Sequence, residues 1–196
     1  MTSFEPYVAA LLAPVSPENE KQQEATAIAL GQYGSSALPA INQLLHADNV
    51  DGRFWAIRSL WAWGDETAQA LLVDLLTDKE AMIRSGAAFA LGELQSASAI
   101  PHLMRLLVED EGATGDHAAD ALAKIGQASA PVLINALADK KPGVRIRAIR
   151  ALTPLESHQA IAALIQCLDH DPSYIVRHYA NIALKRMGVG EMVYFR

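Results

Sequence analysis

The sequence has few aromatic residues, one cysteine and no long apolar run. Aromatic residues make up 6% of the 196 residues, so a core must come from the aliphatic residues within the 51% hydrophobic content. The single cysteine, Cys167, excludes an internal disulfide, and we expect it to be a small buried hydrophobe. Because no 18-residue apolar run and no basic N-terminal leader occur, we expect no membrane span, no secretory signal and a cytoplasmic location.

Positive charge is scarce in most of the chain. Residues 1–139 carry 7 Lys plus Arg against 18 Asp plus Glu, whereas residues 140–196 carry 9 against 4. The acidic balance argues against nucleic acid as a partner, because phosphate binding needs excess positive charge. The asymmetry can orient a charged protein partner during encounter, and an ordinary solvated surface is the alternative reading.

What the sequence does contain is an internal repeat. Its clearest copy runs from Ile83 to Asp110, with an alanine-rich apolar set, a polar break after Gly92, and a second apolar set that begins at Ile100 and Pro101. Apolar spacings of three and four residues predict two helices, and proline is tolerated in a first helical turn. The unit is therefore predicted to be a helical hairpin.

Six leucines, here called the repeat leucines, occupy one position in successive copies. They are Leu30, Leu60, Leu91, Leu122, Leu152 and Leu184, at intervals of 30, 31, 31, 30 and 32 residues. We predict repeats at 17–48, 49–79, 80–110, 111–140, 141–171 and 172–188, an N-terminal cap at 1–16 and a tail at 189–196. One hairpin cannot bury a core alone, so the fold is predicted to be all-α, a right-handed α-α superhelix of about six stacked hairpins.

The repeat signature joins an aspartate that closes one unit, the pair VR or IR, an alanine face, LG, and a second helix of the form A-x-x-x-L-x-x-x-L. It resembles the HEAT-like repeats of the phycobilisome lyase type, in the HEAT and armadillo superfamily, over roughly residues 17–188. The resemblance implies a structural ladder of arginines and aspartates between successive turns. The residues at those positions are Arg53, Arg84, Arg145, Arg177, Asp51, Asp78 and Asp110, while Gly115 replaces the arginine in unit four.

The second helices supply the main candidate binding surface. One position holds Gln43, Asp74, Arg105, Asn135 and Gln166, and the position before it holds Asn42, Val73, Met104, Ile134 and Ile165. The resemblance implies that second helices line a concave face, where packed helices lie roughly 10 Å apart. A polar row beside an apolar row can contact a helix and its polar flanks, so we predict a protein-binding groove. A merely hydrated inner surface is the alternative.

All three tryptophans fall within nine residues of the second unit. Trp63 aligns with apolar positions of other repeats and is predicted to be core, and Trp61 replaces a glycine and is predicted to protrude. Phe54 and Trp55 align with positions that appear solvent-facing. Phe54, Trp55 and Trp61 together are predicted to form an exposed aromatic island that binds a protein or planar ligand. Packing against a neighbouring first helix or the N-terminal cap is the alternative for Phe54 and Trp55.

Two charged clusters and the C-terminal residues complete the candidates. Glu109, Asp110, Glu111 and Asp116 could hold a cation, but the alternating ligands of a calcium loop are absent and we expect a solvated turn. The basic cluster is Lys140, Lys141, Arg145, Arg147 and Arg150, and it could meet carboxylates or phosphates. Residues 192–195, which are all apolar or aromatic, are predicted to fold back as a cap.

The sequence shows no arrangement typical of catalysis. A HEAT-like hydroxylase would contain His-Glu pairs as iron ligands, and no His-Glu dipeptide occurs. Phosphate-binding glycine loops and paired acid and base groups are also absent. We therefore predict a non-catalytic protein-binding scaffold or adaptor without cofactor or metal. The alternative from the resemblance is a subunit of a bilin lyase or related chromophore-handling protein, with Trp55, Trp61 and Arg105 contacting the tetrapyrrole.

Overall fold

The computed structural model describes residues 3–110 and 112–189, and its regular structure there is entirely helical. Twelve α-helices are described: α1 Glu5–Leu12, α2 Glu20–Gln32, α3 Leu38–Leu45, α4 Val50–Trp63, α5 Glu66–Asp74, α6 Ala81–Glu93, α7 Ile100–Glu109, α8 Ala113–Ile125, α9 Ala130–Ala136, α10 Pro142–Leu152, α11 Ile161–His170 and α12 Tyr174–Arg186. The predicted all-α class is confirmed. In the described part of the chain, no helix combines the length and apolarity that crossing a bilayer requires.

Along the chain, the first and second helices of the repeats follow one another as α2 and α3, α4 and α5, α6 and α7, α8 and α9, and α10 and α11. Each pair lies inside one of the repeat ranges predicted from the sequence. In all but the α4–α5 hairpin, a short 3₁₀ turn leads into the second helix, as at Gly34–Ala37 before α3. Proline stands at the first positions of α3, α7 and α9, where a missing amide proton costs nothing.

The chain divides into two compact units, Met1–Leu94 and Gln95–Arg196. In the first unit, α4 packs on α2 and α6, while α3 packs on α4 and α5 on α6. In the second unit, α10 packs on α8 and α12, and each of α7, α9 and α11 packs on the first helix that follows it. Both units therefore use the same arrangement, in which first helices stack and each second helix bridges to the next hairpin.

The repeat leucines form the centre of this packing. All six are at most 1% exposed, and the alanine four residues earlier in repeats two to six is fully buried. These alanines are Ala56, Ala87, Ala118, Ala148 and Ala180. At Gly31 an added Cβ would lie 2.1 Å from the Ser59 carbonyl oxygen, so this glycine permits close approach of α4 to α2. Small residues thus bring first helices together, and leucines fill the space that remains.

The N-terminal segment packs on the first repeat. Helix α1 contacts α2, α3 and α4, and buries Val8 and Leu11. Gln23 in α2 donates from Nε2 to the carbonyl oxygens of Ala10 and Ala13, both at 2.9 Å. The end of α1 is thereby fixed to the first repeat. Residue 111 and the predicted C-terminal cap at residues 192–195 lie outside the described residues.

Candidate functional site

The ladder arginines hold the turns between hairpins. Arg53, Arg84, Arg145 and Arg177 each donate from Nη1 to the carbonyl oxygen six residues earlier, on Ala47, Asp78, Asp139 and Asp171, at 2.6 to 2.9 Å. A carbonyl at the start of a turn has no partner within a helix, so the guanidinium satisfies it. This position is therefore structural. In the first repeat it is occupied by Gln23, which the arginine pattern of the sequence did not reveal.

Arg53 and Arg145 also form ion pairs with an aspartate of the next turn. Arg53 Nε lies 2.9 Å from Asp78 Oδ2, while Arg145 contacts Asp171 through Nε at 2.6 Å and Nη2 at 2.8 Å. The Asp171 hydrogen bond raises the pKa of Arg145. Burial alone would raise the pKa of Asp171, but hydrogen bonds from Arg145 and the Ser173 amide, with nearby positive charge, hold it below its ordinary value. Asp51 lies instead in the first turn of α4.

The exposed aromatic island predicted from the sequence does not form as a single surface. Trp55 is only 3% exposed, and Phe54 is half-buried with its ring centroid 5.2 Å from that of Trp55. The expectation that Trp55 faces solvent is therefore wrong, because the α4 face that carries it is packed. Trp63 is half-buried rather than core.

Trp61 belongs to a separate cluster on the first helices of the same unit. Its ring meets that of Phe89 edge to face at 5.8 Å, and the Arg58 guanidinium lies 4.6 Å from the Trp61 ring centroid. Arg58 also pairs with Glu24 of α2. Trp61 is therefore half-buried instead of protruding, while Phe89 remains 46% exposed.

The polar row of the second helices is exposed. Gln43 and Asp74 lie on α3 and α5 of the first unit, and Arg105, Asn135 and Gln166 lie on α7, α9 and α11 of the second. The neighbouring row of Val73, Met104, Ile134 and Ile165 is half-buried, whereas Asn42 is exposed. Within each unit, polar groups thus stand beside partly accessible apolar side chains, which is the composition of many protein-binding surfaces. We call this the second-helix face.

Two arginines of the basic cluster are buried by internal contacts, while its other three residues are exposed. Arg145 and Arg147 are 7% and 8% exposed, and Arg150 pairs with Asp116 at 3.3 Å and Asp120 at 3.8 Å. Arg147 donates to the carbonyl oxygens of Leu107, Asp110 and Gly112 and to the Asp116 carboxylate. The Arg145 and Arg147 guanidinium groups are therefore not presented to an external phosphate or carboxylate, whereas Lys140, Lys141 and Arg150 are exposed.

The described residues form neither a metal site nor a reactive thiol site. Within 3–110 and 112–189, no group of three His, Cys, Asp or Glu side chains could hold a metal ion. The oxygens of the turn after α7 face the Arg147 guanidinium, and Glu111 lies outside the described residues. Cys167 is buried, and burial raises the pKa of its thiol, which disfavours the reactive thiolate.

Comparison with known proteins identifies the architecture. The family model for HEAT repeats matches residues 8–80, 38–116 and 113–185. The chain belongs to the HEAT repeat family. Among solved HEAT-type structures, an archaeal HEAT-like repeat protein from Thermococcus onnurineus NA1 has a TM-score of 0.60 at 14% identity, covering 95% of this chain and 81% of that chain. A designed armadillo repeat protein in complex with the peptide (KR)4 has a TM-score of 0.51 at 18% identity, covering 95% and 100%.

Two further proteins are similar to this chain, one in sequence and one in structure. A phycobilisome maturation protein from Synechococcus elongatus is 30% identical over 115 residues, which cover 59% of this chain and 55% of that protein. The chain thus spans about half the length of this curated relative. The complex of CpcE and CpcF of phycocyanin lyase from Nostoc sp. PCC7120 has a TM-score of 0.53 at 22% identity, covering 96% of this chain and 78% of that chain. At this identity the structural likeness concerns the fold.

Proposed function

We propose that this HEAT repeat protein is a non-catalytic scaffold or adaptor that binds another protein through its second-helix face. The observation that carries the proposal is the repeated pairing, on α7, α9 and α11, of an exposed polar residue with a half-buried apolar one. The pairs are Met104 with Arg105, Ile134 with Asn135, and Ile165 with Gln166. In the first unit, Gln43 and Asp74 hold the same position on α3 and α5.

This composition suits a protein segment better than a small metabolite. Amide side chains such as Asn135 and Gln166 offer both donors and acceptors, so they can pair with a peptide backbone. The partly accessible Met104 and Ile134 can bury apolar side chains of the partner. Because Arg105 is exposed, it can meet a partner carboxylate.

The experiment compares two triple variants of the full chain as bait for proteins in a native lysate, read by mass spectrometry. The row variant carries Arg105→Ala, Asn135→Ala and Gln166→Ala, and binding of a partner captured by the wild type should fall at least about tenfold. Its matched control carries His117→Ala, Gln159→Ala and Lys185→Ala, which are exposed residues outside the row. Equal capture by wild type and row variant would reject this face.

The second candidate is a subunit of a bilin lyase or related chromophore-handling protein, and the partial match to a phycobilisome maturation protein supports it. Of the residues assigned to the pigment, Trp55 is buried, Trp61 is half-buried and Arg105 is exposed. Pigment contact would therefore rest on Arg105 and Trp61. Visible absorbance retained with the purified protein after incubation with a free bilin, and lost in Trp61→Ala, would favour this function over the scaffold.

A further inference from the structure

The fourth repeat lacks the ladder arginine, yet its turn is not left unsatisfied. Gly115 occupies the ladder position, seven residues before the repeat leucine. Arg147, from the next repeat, donates to the carbonyl oxygens of Leu107 at 3.1 Å, Asp110 at 2.7 Å and Gly112 at 2.9 Å, and to Asp116 at 2.9 Å. A Cβ on Gly115 would lie 2.6 Å from Arg147 Nη1. Glycine thus creates the space that Arg147 fills.

Arg147 stands five residues before its own repeat leucine, and the same position in the second repeat is Trp55. The preceding repeat again lacks the ladder arginine, because Gln23 stands there. Like Arg147, Trp55 is a large buried side chain with a hydrogen-bond donor, and Trp55 and Gln23 are each 3% exposed. The two substituted ladder positions are therefore both followed, one repeat later, by a large buried donor.

The hydrogen-bonding groups of Trp55 and Gln23 are complementary. Among the described residues, neither the Trp55 indole Nε1 nor the Gln23 Oε1 has a hydrogen-bond partner, although both are buried. Buried donors and acceptors are rarely left unpaired. Gln23 Nε2 is already committed to Ala10 and Ala13, so Oε1 is the atom free to accept.

Where a repeat retains the ladder arginine, the next repeat has a different kind of residue at the position equivalent to Arg147 and Trp55. In the repeat after Arg53, the residue at this position is Gly86, where even a Cβ would lie 3.1 Å from Ile57 Cδ1. After Arg145 it is Tyr179, which is half-buried with its ring edge to face against His178. A large buried donor at this position thus occurs in the two described cases where the preceding ladder arginine is missing.

We infer that, wherever a repeat lacks the ladder arginine, a buried side chain of the next repeat supplies the missing hydrogen-bond donor, and we call this contact a rung. Arg147 is the donor for the repeat with Gly115, and Trp55 is the donor for the repeat with Gln23. In the second case neither atom has a direct partner among the described residues, so the indole N–H is hydrogen-bonded to Gln23 Oε1 across one enclosed water. The rung ties each substituted turn to the hairpin that follows. In the second unit it holds the turn directly after α7, the helix that carries Met104 and Arg105.

Indole NMR of the full chain tests the Trp55 rung, with the resonance assigned from Trp55→Phe. The Trp55 indole proton should exchange slowly, and Gln23→Met should shift the resonance and speed exchange about tenfold, the loss expected for one hydrogen bond. Gln22→Met, at an exposed neighbour, is the control. An indole resonance unmoved by Gln23→Met would overturn the Trp55 rung.

Hydrogen exchange of backbone amides tests the Arg147 rung. Arg147→Ala should speed exchange of the turn at 109–116, and Arg147→Lys should do the same because an ammonium cannot replace the planar five-donor fork. Arg150→Ala removes a neighbouring exposed arginine that also pairs with Asp116, and should leave the turn protected. Unchanged exchange in Arg147→Ala, or equal effects of Arg147→Ala and Arg150→Ala, would show that Arg147 does not hold the turn.

Discussion

The two compact units share one internal construction but differ in surface charge. Residues 1–94 carry 5 Lys plus Arg against 12 Asp plus Glu, and residues 95–196 carry 11 against 10. All three tryptophans lie in the first unit. Both units nevertheless bury the repeat leucines and satisfy their turns with ladder arginines. The fold of each repeat therefore depends on a few positions that hold small residues, aliphatic residues or arginine. The exposed residues of the two units can differ in charge without changing that fold.

The tryptophan distribution makes this comparison measurable. Tryptophan fluorescence reports on Met1–Leu94 alone, whereas helical circular dichroism reports on both units. Unfolding curves from the two signals therefore separate an effect on the first unit from one on the whole chain. A shift in both signals for every variant would mean that the units unfold together.

The largest expected effect comes from truncating a repeat leucine. Leu91→Ala in the first unit and Leu122→Ala in the second should each lower the free energy of unfolding by about 2 to 5 kcal/mol, because each side chain is fully buried. Urea unfolding measures the loss, and Arg105→Ala is the exposed control. A neutral Leu91→Ala would contradict the repeat register.

The ladder ion pairs should rank next. Arg145→Ala is expected to cost about 3 kcal/mol, because it leaves the buried Asp171 carboxylate without its cation. Arg53→Ala should cost less, because Arg53 donates to Asp78 through a long hydrogen bond of 3.4 Å from Nη2, and its Nε, although 2.9 Å from Oδ2, is not aligned to donate. Urea unfolding of both variants gives the ranking. An equal loss in both would show that the pair geometry does not decide the energy.

The same ion pair predicts a pH dependence. The pKa of Asp171 is lower in the folded chain than its ordinary value, so the folded state favours the charged carboxylate. Its stabilisation is fully present above the unfolded pKa, about 3.9, and is lost as pH falls through the lower folded value. Asp171→Asn should therefore be less stable than wild type at pH 7, with the gap narrowing in acid. Thermal melts from pH 7 to pH 2 measure it, and a gap that widens in acid would reverse the sign.

The smallest expected change in stability is at one exposed position on the first helix of the repeat. Phe89 and Ile182 both stand two residues before a repeat leucine, and they are 46% and 44% exposed. Phe89→Ala should cost about 1 kcal/mol because it removes the edge-to-face pair with Trp61. Ile182→Ala should change stability by at most about 0.5 kcal/mol. Fluorescence-detected unfolding measures Phe89→Ala, and a larger loss from Ile182→Ala would contradict this assignment.

Much of the fold was predictable because repetition amplifies a weak local signal. One alanine-rich segment could form a helix in many contexts, but six repeat leucines in register specify stacked hairpins, and all six are buried. The exposed polar row followed from the same register, since the helical period places every fourth residue on one face. The function of that row as a binding surface stays a prediction.

The aromatic residues show where register reasoning stops. Alignment with small and polar residues suggested that Trp55 faces solvent, yet Trp55 is buried. Equivalent positions in different repeats need not be equally exposed, because the side chains of the preceding repeat determine how much space lies beside each of them. Arg147 is another case, since it formed part of a basic cluster in the sequence and fills the space beside Gly115 in the fold.

The sequence by itself determined the helical hairpins, their register and the arginine position, since these follow from apolar spacing and recurrence along one chain. Only the tertiary structure decided which charged and aromatic side chains remain accessible. Arg145 and Arg147 became internal donors, Trp55 became buried, and Arg105 stayed exposed. The physical reason is that accessibility depends on neighbours about 30 residues away, and their distances are set by packing rather than by local sequence.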